Sequence, residues 1–177
     1  MRRVCLGTIR VSVLPGRPSH GLIRAGPWYL PVALGRGGVK ANKREGDGGT
    51  PRGHFRALRL WWRADRLVRP PTSLAARRIS RADAWSENPA DRRYNRPFRR
   101  SAKEPGDRLW RDDSLYDMLV EIDHNTRPRV TGRGSAVFIH IARPGLTPTA
   151  GCIALKPRDL WHLLRRIGPK TRILVHN

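Results

Sequence analysis

The chain has 177 residues, enough for one domain with a real hydrophobic core and too few for two comfortable ones. Lys and Arg number 36 against 14 Asp and Glu, a formal net charge of +22, which implies a polyanionic partner or surrounding: nucleic acid, or a bacterial envelope carrying carboxylates and phosphates. Two cysteines, Cys5 and Cys152, exclude a disulfide framework and a CxxC-type zinc cluster while leaving one Cys5–Cys152 bridge open, and no stretch approaches the roughly 20 apolar residues of a membrane span.

The chain opens on "MRRVCLGTIRVSVLPGRPSH", basic at its start but without a sustained apolar run of signal-peptide type, so export is not encoded in readable form. The runs "TIRVSVL", "WYLPVALG" and "FRALRLWW", bounded by Gly and Pro, read as strands. From Arg63 to Asp113 the pattern dissolves into an arginine-rich stretch, read as a long, partly irregular insertion packed over the core through Trp85, Tyr94 and Phe98. "LYDMLVEID" fits a strand or a helix by pattern alone. "SAVFIHI" is a clearer strand, with Val137, Ile139 and Ile141 on one face and Phe138 and His140 on the other. At the end, Pro157 and Asp159 in a first turn, a stripe of Leu160, Leu163, Leu164 and Ile167, and a Gly168-Pro169 stop predict a helix of about three turns leading into a final strand.

Three stretches carry candidate chemistry. Cys152 in "TPTAGCIAL" follows a glycine at a loop-to-strand junction, where a nucleophilic thiol is reachable and neighbouring N–H groups can face an oxyanion; a lone cysteine is also often a small buried hydrophobe. His140, twelve positions earlier across a turn-rich loop, is either the base for that thiol or a core histidine on the Phe138 face. "LGRGGVKANKREGDGGTPRGHF", Leu34 to Phe55, lacks a phosphate-loop or dinucleotide fingerprint and by composition reads as a flexible hairpin loop, although Lys43, Glu45, Asp47 and Thr50 form a more ordered cluster than a linker needs. The arginines with interleaved Trp85, Tyr94 and Phe98 suit a single-stranded nucleic-acid groove or a solvated basic surface, and no known nucleic-acid motif accompanies them. The remaining histidines make no tight metal spacing, so no metal and no cofactor are expected.

Together, "GRGGVKANKREGDGGTPRGHF", "GSAVFIH" and "TPTAGCIAL" resemble the YkuD-type L,D-transpeptidase catalytic domain of bacterial cell-wall enzymes, over about residues 34 to 175. The resemblance is to a compact branch in which an EGDGxTPxG segment precedes a W…YN…R segment, here Trp85, Tyr94, Asn95 and Arg111. It implies a mainly β fold, a twisted sheet with a short C-terminal helix, to which the reading from length and composition adds the arginine-rich insertion at about 63–113 and a single domain of residues 1–177. It implies Cys152 as nucleophile, His140 as base and the backbone carbonyl of Ile141 as third member, with amides near Ala150, Gly151 and Cys152 holding the oxyanion. The reaction implied is loss of D-Ala from a peptidoglycan tetrapeptide stem and transfer of the acyl group to an amine, giving a 3→3 cross-link. Water as acceptor would make the same site an L,D-carboxypeptidase.

Where many relatives have Ser/Thr-His-Gly-Cys, an apolar residue and then Asn or Arg, this chain has Thr149-Ala150-Gly151-Cys152-Ile153-Ala154. Arg143 is therefore expected to supply the carboxylate contact that Ala154 cannot, with Thr149 also facing substrate. Stem peptides and the anionic cell-wall polymer are the expected partners, the periplasm or envelope the expected location, and a monomer the expected state. A basic nucleic-acid-binding module with a structural His/Cys pair is the alternative from another class.

Overall fold

A computed structural model describes residues 5–177, so the basic start at residues 1–4 lies outside the described residues. Three strands open the chain as an antiparallel meander, β1 (Thr8–Leu14), β2 (Arg17–Ala25) and β3 (Trp28–Ala33). The glycine-rich segment carries two short parallel strands, β4 (Val39–Lys40) and β5 (Thr50–Pro51), and leads into the long β6 (Gly53–Trp62). The insertion contributes β7 (Ala75–Arg78), β8 (Asp83–Trp85), β9 (Pro97–Arg99) and β10 (Asp107–Arg108). After it come β11 (Met118–Ile122), β12 (Phe138–Ile141), β13 (Ile153–Leu155), the helix α1 (Pro157–Leu164) and β14 (Arg172–His176).

The main sheet runs β11-β12-β13-β3-β2-β1-β14-β6, and β6 pairs back onto β11, so eight strands close into a barrel-like ring with β7 added outside on β6. Closure removes the free edges that the twisted sheet expected from the sequence would leave. The ring is mixed: β1–β14 and β12–β13 are parallel, and the other neighbours are antiparallel.

The aliphatic core is built from alternate residues of these strands, including Ile9, Val11, Ile23, Val32, Leu60, Val120, Ile139, Ile153 and Ile173, and is completed by Leu160, Leu163 and Leu164 of α1. Each of those leucines is removed from solvent entirely, which contributes on the order of 1.5–3 kcal/mol. Pro157 starts α1 with a pre-set φ and a missing N–H that costs no bond, and Asp159 in the first turn suits the helix dipole. The helix is eight residues long, about two turns rather than three, and Ile167 reaches the same core from the turn that follows.

Two further differences from the sequence reading have local causes. β2 is a strand that the sequence pattern does not mark, because Pro18 and Gly21 interrupt its alternation. Gly21 sits where a Cβ would come 2.4 Å from the Ser12 carbonyl, next to a register shift between Val13 and Leu14, so the bulge itself demands the glycine. The insertion is more regular than its composition suggests: β8, β9 and β10 form a separate three-stranded sheet, and β7 pairs onto β6 outside the ring. "LYDMLVEID" is a strand, held between β6 and β12.

Candidate active site

β12 alternates as its sequence predicts. Val137, Ile139 and Ile141 enter the aliphatic core, and Phe138 and His140 face the other way. Parallel pairing of β12 with β13 matches Ile139 to Ile153 and His140 to Ala154, which sets Phe138 beside Cys152 and leaves the thiol on the His140 face of the sheet. Cys152 and His140 both line a cavity of about 310 Å³, whose rim also carries Arg36, Arg111, Arg143 and Thr149.

The imidazole is oriented by its own strand. His140 Nδ1 lies 2.8 Å from the carbonyl oxygen of Ile141. A carbonyl only accepts, so Nδ1 carries the proton and Nε2 keeps its lone pair. The Tyr116 ring meets the imidazole edge-on at 5.3 Å. Burial pushes the His140 pKa down to about 4, with the Arg111 and Arg143 charges acting in the same direction against the Ile141 bond. The thiol is buried too, and burial pushes Cys152 up to about 12. It donates to the Ala136 carbonyl at 3.2 Å and accepts from the Phe138 N–H at 3.3 Å. At neutral pH both members of the pair are therefore uncharged. Cys152 is not bridged to Cys5.

The walls come from two segments distant in sequence. From the insertion, Trp85 packs edge-on against Phe138 at 5.0 Å, and its indole N–H donates to Asn95 Oδ1 at 3.0 Å. The same oxygen accepts the Ala136 N–H, and Asn95 Nδ2 donates to the carbonyls of His124 and Asn125. Asn95 thus holds Ala136 in a left-handed conformation (φ 50°), and it is the Ala136 carbonyl that receives the thiol proton. Tyr116 donates to Asp107 Oδ2 at 2.8 Å, under an Arg111 guanidinium clamped on both oxygens of Asp113.

From the glycine-rich segment, Gly35 bridges to Thr149, with the Arg36 N–H donating to the Thr149 carbonyl and the Thr149 N–H to the Leu34 carbonyl. Gly151 has φ +142°, and a Cβ there would come 2.8 Å from the Gly49 carbonyl, so the cysteine loop and the glycine loop touch backbone to backbone. The Lys43–Asp47 ion pair (2.7 Å) is held beneath, its carboxylate kept down at about 2 by Lys43 and two backbone N–H groups although burial acts the other way. Glu45 accepts from Tyr94 and Ser135, joining this loop to the insertion and to the approach to β12. The segment read as a flexible hairpin loop is a fixed buttress.

Each residue singled out in the sequence can be placed. Cys152, His140, Arg143, Thr149 and Ala150 share the cavity. The Thr149 hydroxyl is spent internally, donating to the Cys152 carbonyl at 2.7 Å and accepting the Gly151 N–H at 3.0 Å. The Gly151 N–H is thus bonded to Thr149 Oγ1, and Thr149 braces the loop as well as lining the cavity. Arg36 and Tyr116 also line the cavity, and no short-range pattern in the sequence ties either to Cys152. Among the described residues, no group of three or more His, Cys, Asp or Glu side chains is placed to hold a metal ion, and no helix is long and apolar enough to cross a membrane.

This arrangement can be set against known proteins. The family model of the L,D-transpeptidase catalytic domain, YkuD, matches residues 17–175. The chain belongs to the YkuD family. The match begins earlier than the motifs suggested, taking in β2 and β3. Among solved structures, an L,D-transpeptidase from Mycobacterium smegmatis aligns at 13% sequence identity with a TM-score of 0.43, covering 96% of this chain and 58% of that one. The chain thus spans less than two thirds of the length of that protein. No curated protein matches the chain.

Proposed function

We propose that the protein is a cysteine acyltransferase acting on peptidoglycan stem peptides, an L,D-transpeptidase in the strict sense. The observation that carries this reading is the His140 Nδ1 to Ile141 carbonyl bond, which leaves Nε2 as a base on the same cavity as the Cys152 thiol. In the proposed first step the thiol proton, held at rest on Ala136, turns to His140 Nε2 as Sγ attacks the carbonyl at the L-centre of the third stem residue. The N–H groups of Cys152 and Ala150 receive the oxyanion, since that of Gly151 is committed to Thr149. The imidazolium then protonates the departing D-Ala amine, and the thioester remains on Cys152. In the second step His140 takes a proton from an acceptor amine, which attacks the thioester and restores the thiol.

Starting from a neutral pair means that charge develops only after substrate has entered. The Arg36, Arg111 and Arg143 guanidiniums on the rim favour a donor whose carboxylates neutralise them. The work is assigned to the periplasm or envelope, where the stem peptides are.

The test is incubation of the protein and its Cys152→Ala variant with a disaccharide-tetrapeptide, with products read by mass spectrometry. The proposal expects D-Ala release by the first alone and a cross-linked dimer among the products. A free tripeptide without dimer would make the enzyme an L,D-carboxypeptidase, and release by the variant would remove Cys152 from the mechanism.

A further inference from the structure

Two sets of arginines in this chain differ in how they are partnered. Those built into the fold are partnered: Arg63 lies 3.6 Å over Trp110 and holds Asp65, Arg93 lies over Phe98 and holds Asp91 and Glu104, and Arg111 lies over Tyr116 and holds Asp113. A second group surrounds two adjoining hollows of about 440 and 370 Å³ that share Thr131. Arg44 and Arg133 line the first, and Arg92, Arg96 and Arg129 line the second. Among the described residues, none of these five guanidiniums has an ion pair or an aromatic ring beneath it. One acid lines the hollows, Asp91, and it is already clamped by Arg93.

Arg129 is the telling member. Its Nε is buried without a hydrogen-bond partner, and burial together with the neighbouring Arg96 charge disfavours its protonated form. A buried donor and a like-charged neighbour cost free energy unless something anionic settles between them. The scaffold does not relax to avoid that cost. Asn125 pins the loop by bonds to Val130 and Gly134, and Asn95 bonds the Asn125 carbonyl in turn.

We propose that these hollows form one groove that binds a linear anionic glycan, the guanidiniums taking its acid groups and Asn42 and Thr131 its sugar hydroxyls. The groove is separate from the Cys152 cavity, with no lining residue in common. Nucleic acid is the less suitable occupant, because base-tolerant grooves rely on exposed aromatic platforms. The aromatic here, Tyr94, is 3% exposed, and its hydroxyl is spent on Glu45 and Gly134. All five basic residues are arginine, whose planar fork matches an oxyanion in two bonds where an ammonium offers a point charge.

The groove is tested in the Cys152→Ala protein, so that the answer does not depend on catalysis. Binding of a labelled oligogalacturonate is followed by anisotropy across a salt series, in parallel with an oligo(dT) of equal charge. Arg96→Gln/Arg129→Gln is compared with Arg10→Gln/Arg24→Gln, which removes two exposed charges from β1 and β2. The expected result is glycan binding weakened about tenfold or more in the groove pair, with a salt slope shallower by about one unit per arginine, and little change in the control pair. Equal losses in both pairs would reduce the interaction to diffuse net charge and overturn the proposal. So would absence of glycan binding, or a preference for oligo(dT) that the groove pair abolishes. If the first pair melts early, Arg92→Gln/Arg133→Gln, both exposed, answers the same question.

Discussion

β12 separates two packed regions that are made differently. On one side Val137, Ile139 and Ile141 join a cluster of aliphatic side chains from the eight-strand ring and α1, in which any residue of similar volume would serve nearly as well. On the other, Phe138 joins Trp61, Trp85, Tyr116 and Cys152, and the aromatic polar atoms there each have a named partner: Trp61 with Glu121, Trp85 with Asn95, Tyr116 with Asp107. The first region supplies cohesion. The second fixes directions, and the thiol and imidazole take their positions from it. The same strand serves both because alternation puts successive side chains on opposite faces.

The largest expected effect that separates the regions is on turnover. His140→Gln is predicted to lower D-Ala release by about 10²–10⁴-fold while the melting temperature barely moves, since the change removes the base of the proposed mechanism and leaves the aliphatic core intact. The reciprocal change is Leu163→Ala in α1. It is expected to cost about 2–5 kcal/mol in urea unfolding, with the protein that remains folded turning over normally. Asn95→Ala should sit between the two. Orphaning the Trp85 and Ala136 N–H groups is expected to cost about 1–3 kcal/mol, with a fall in turnover beyond what the unfolded fraction explains, because the Ala136 carbonyl loses its fixed position under the thiol. A purely structural role for the insertion would show the stability loss alone.

At neutral pH the effect that shows least is the pH dependence of stability, which appears only outside the range of about 6.5 to 9. His140 is depressed to about 4 from its ordinary 6.5, so the unfolded chain binds more protons between those values. Its contribution is full above about 6.5 and is lost as pH falls towards 4. Cys152 is raised to about 12 from its ordinary 9, so its contribution is full below about 9 and is lost as pH climbs towards 12. Thermal melts should therefore show a flatter acid limb in His140→Gln and a flatter alkaline limb in Cys152→Ala.

The aliphatic region was the more legible in sequence. Period-two alternation marked β12, and the Leu160–Leu163–Leu164 stripe marked α1, because burial of one face imposes a repeat that a reader can count. Closure of the ring left no such mark: the β6–β11 pairing joins residues some sixty positions apart, and neither strand advertises its partner. In the aromatic region, Cys152 and His140 were legible as residue types at a suggestive spacing, and Trp85, Tyr94 and Asn95 as members of a motif. Their roles were not, since the Asn95 bonds to Ala136, His124 and Asn125 are long-range and depend on how the insertion folds back. Lys43, Glu45 and Asp47 stand out as a cluster, and only three-dimensional contact explains why: the Lys43–Asp47 ion pair closes the glycine-rich loop on itself, and Glu45, as a shared acceptor, ties that loop to Tyr94 of the insertion and to Ser135 before β12.

The central claim, that a neutral thiol and imidazole held by the aromatic region carry out acyl transfer, is tested most directly by intact-mass spectrometry of the protein during turnover of a tetrapeptide donor. The account predicts an adduct equal to the donor minus D-Ala, mapped to Cys152, slow to form in His140→Gln and lost on adding an acceptor amine. D-Ala release proceeding in Cys152→Ala, or an adduct that maps to another residue, would contradict it.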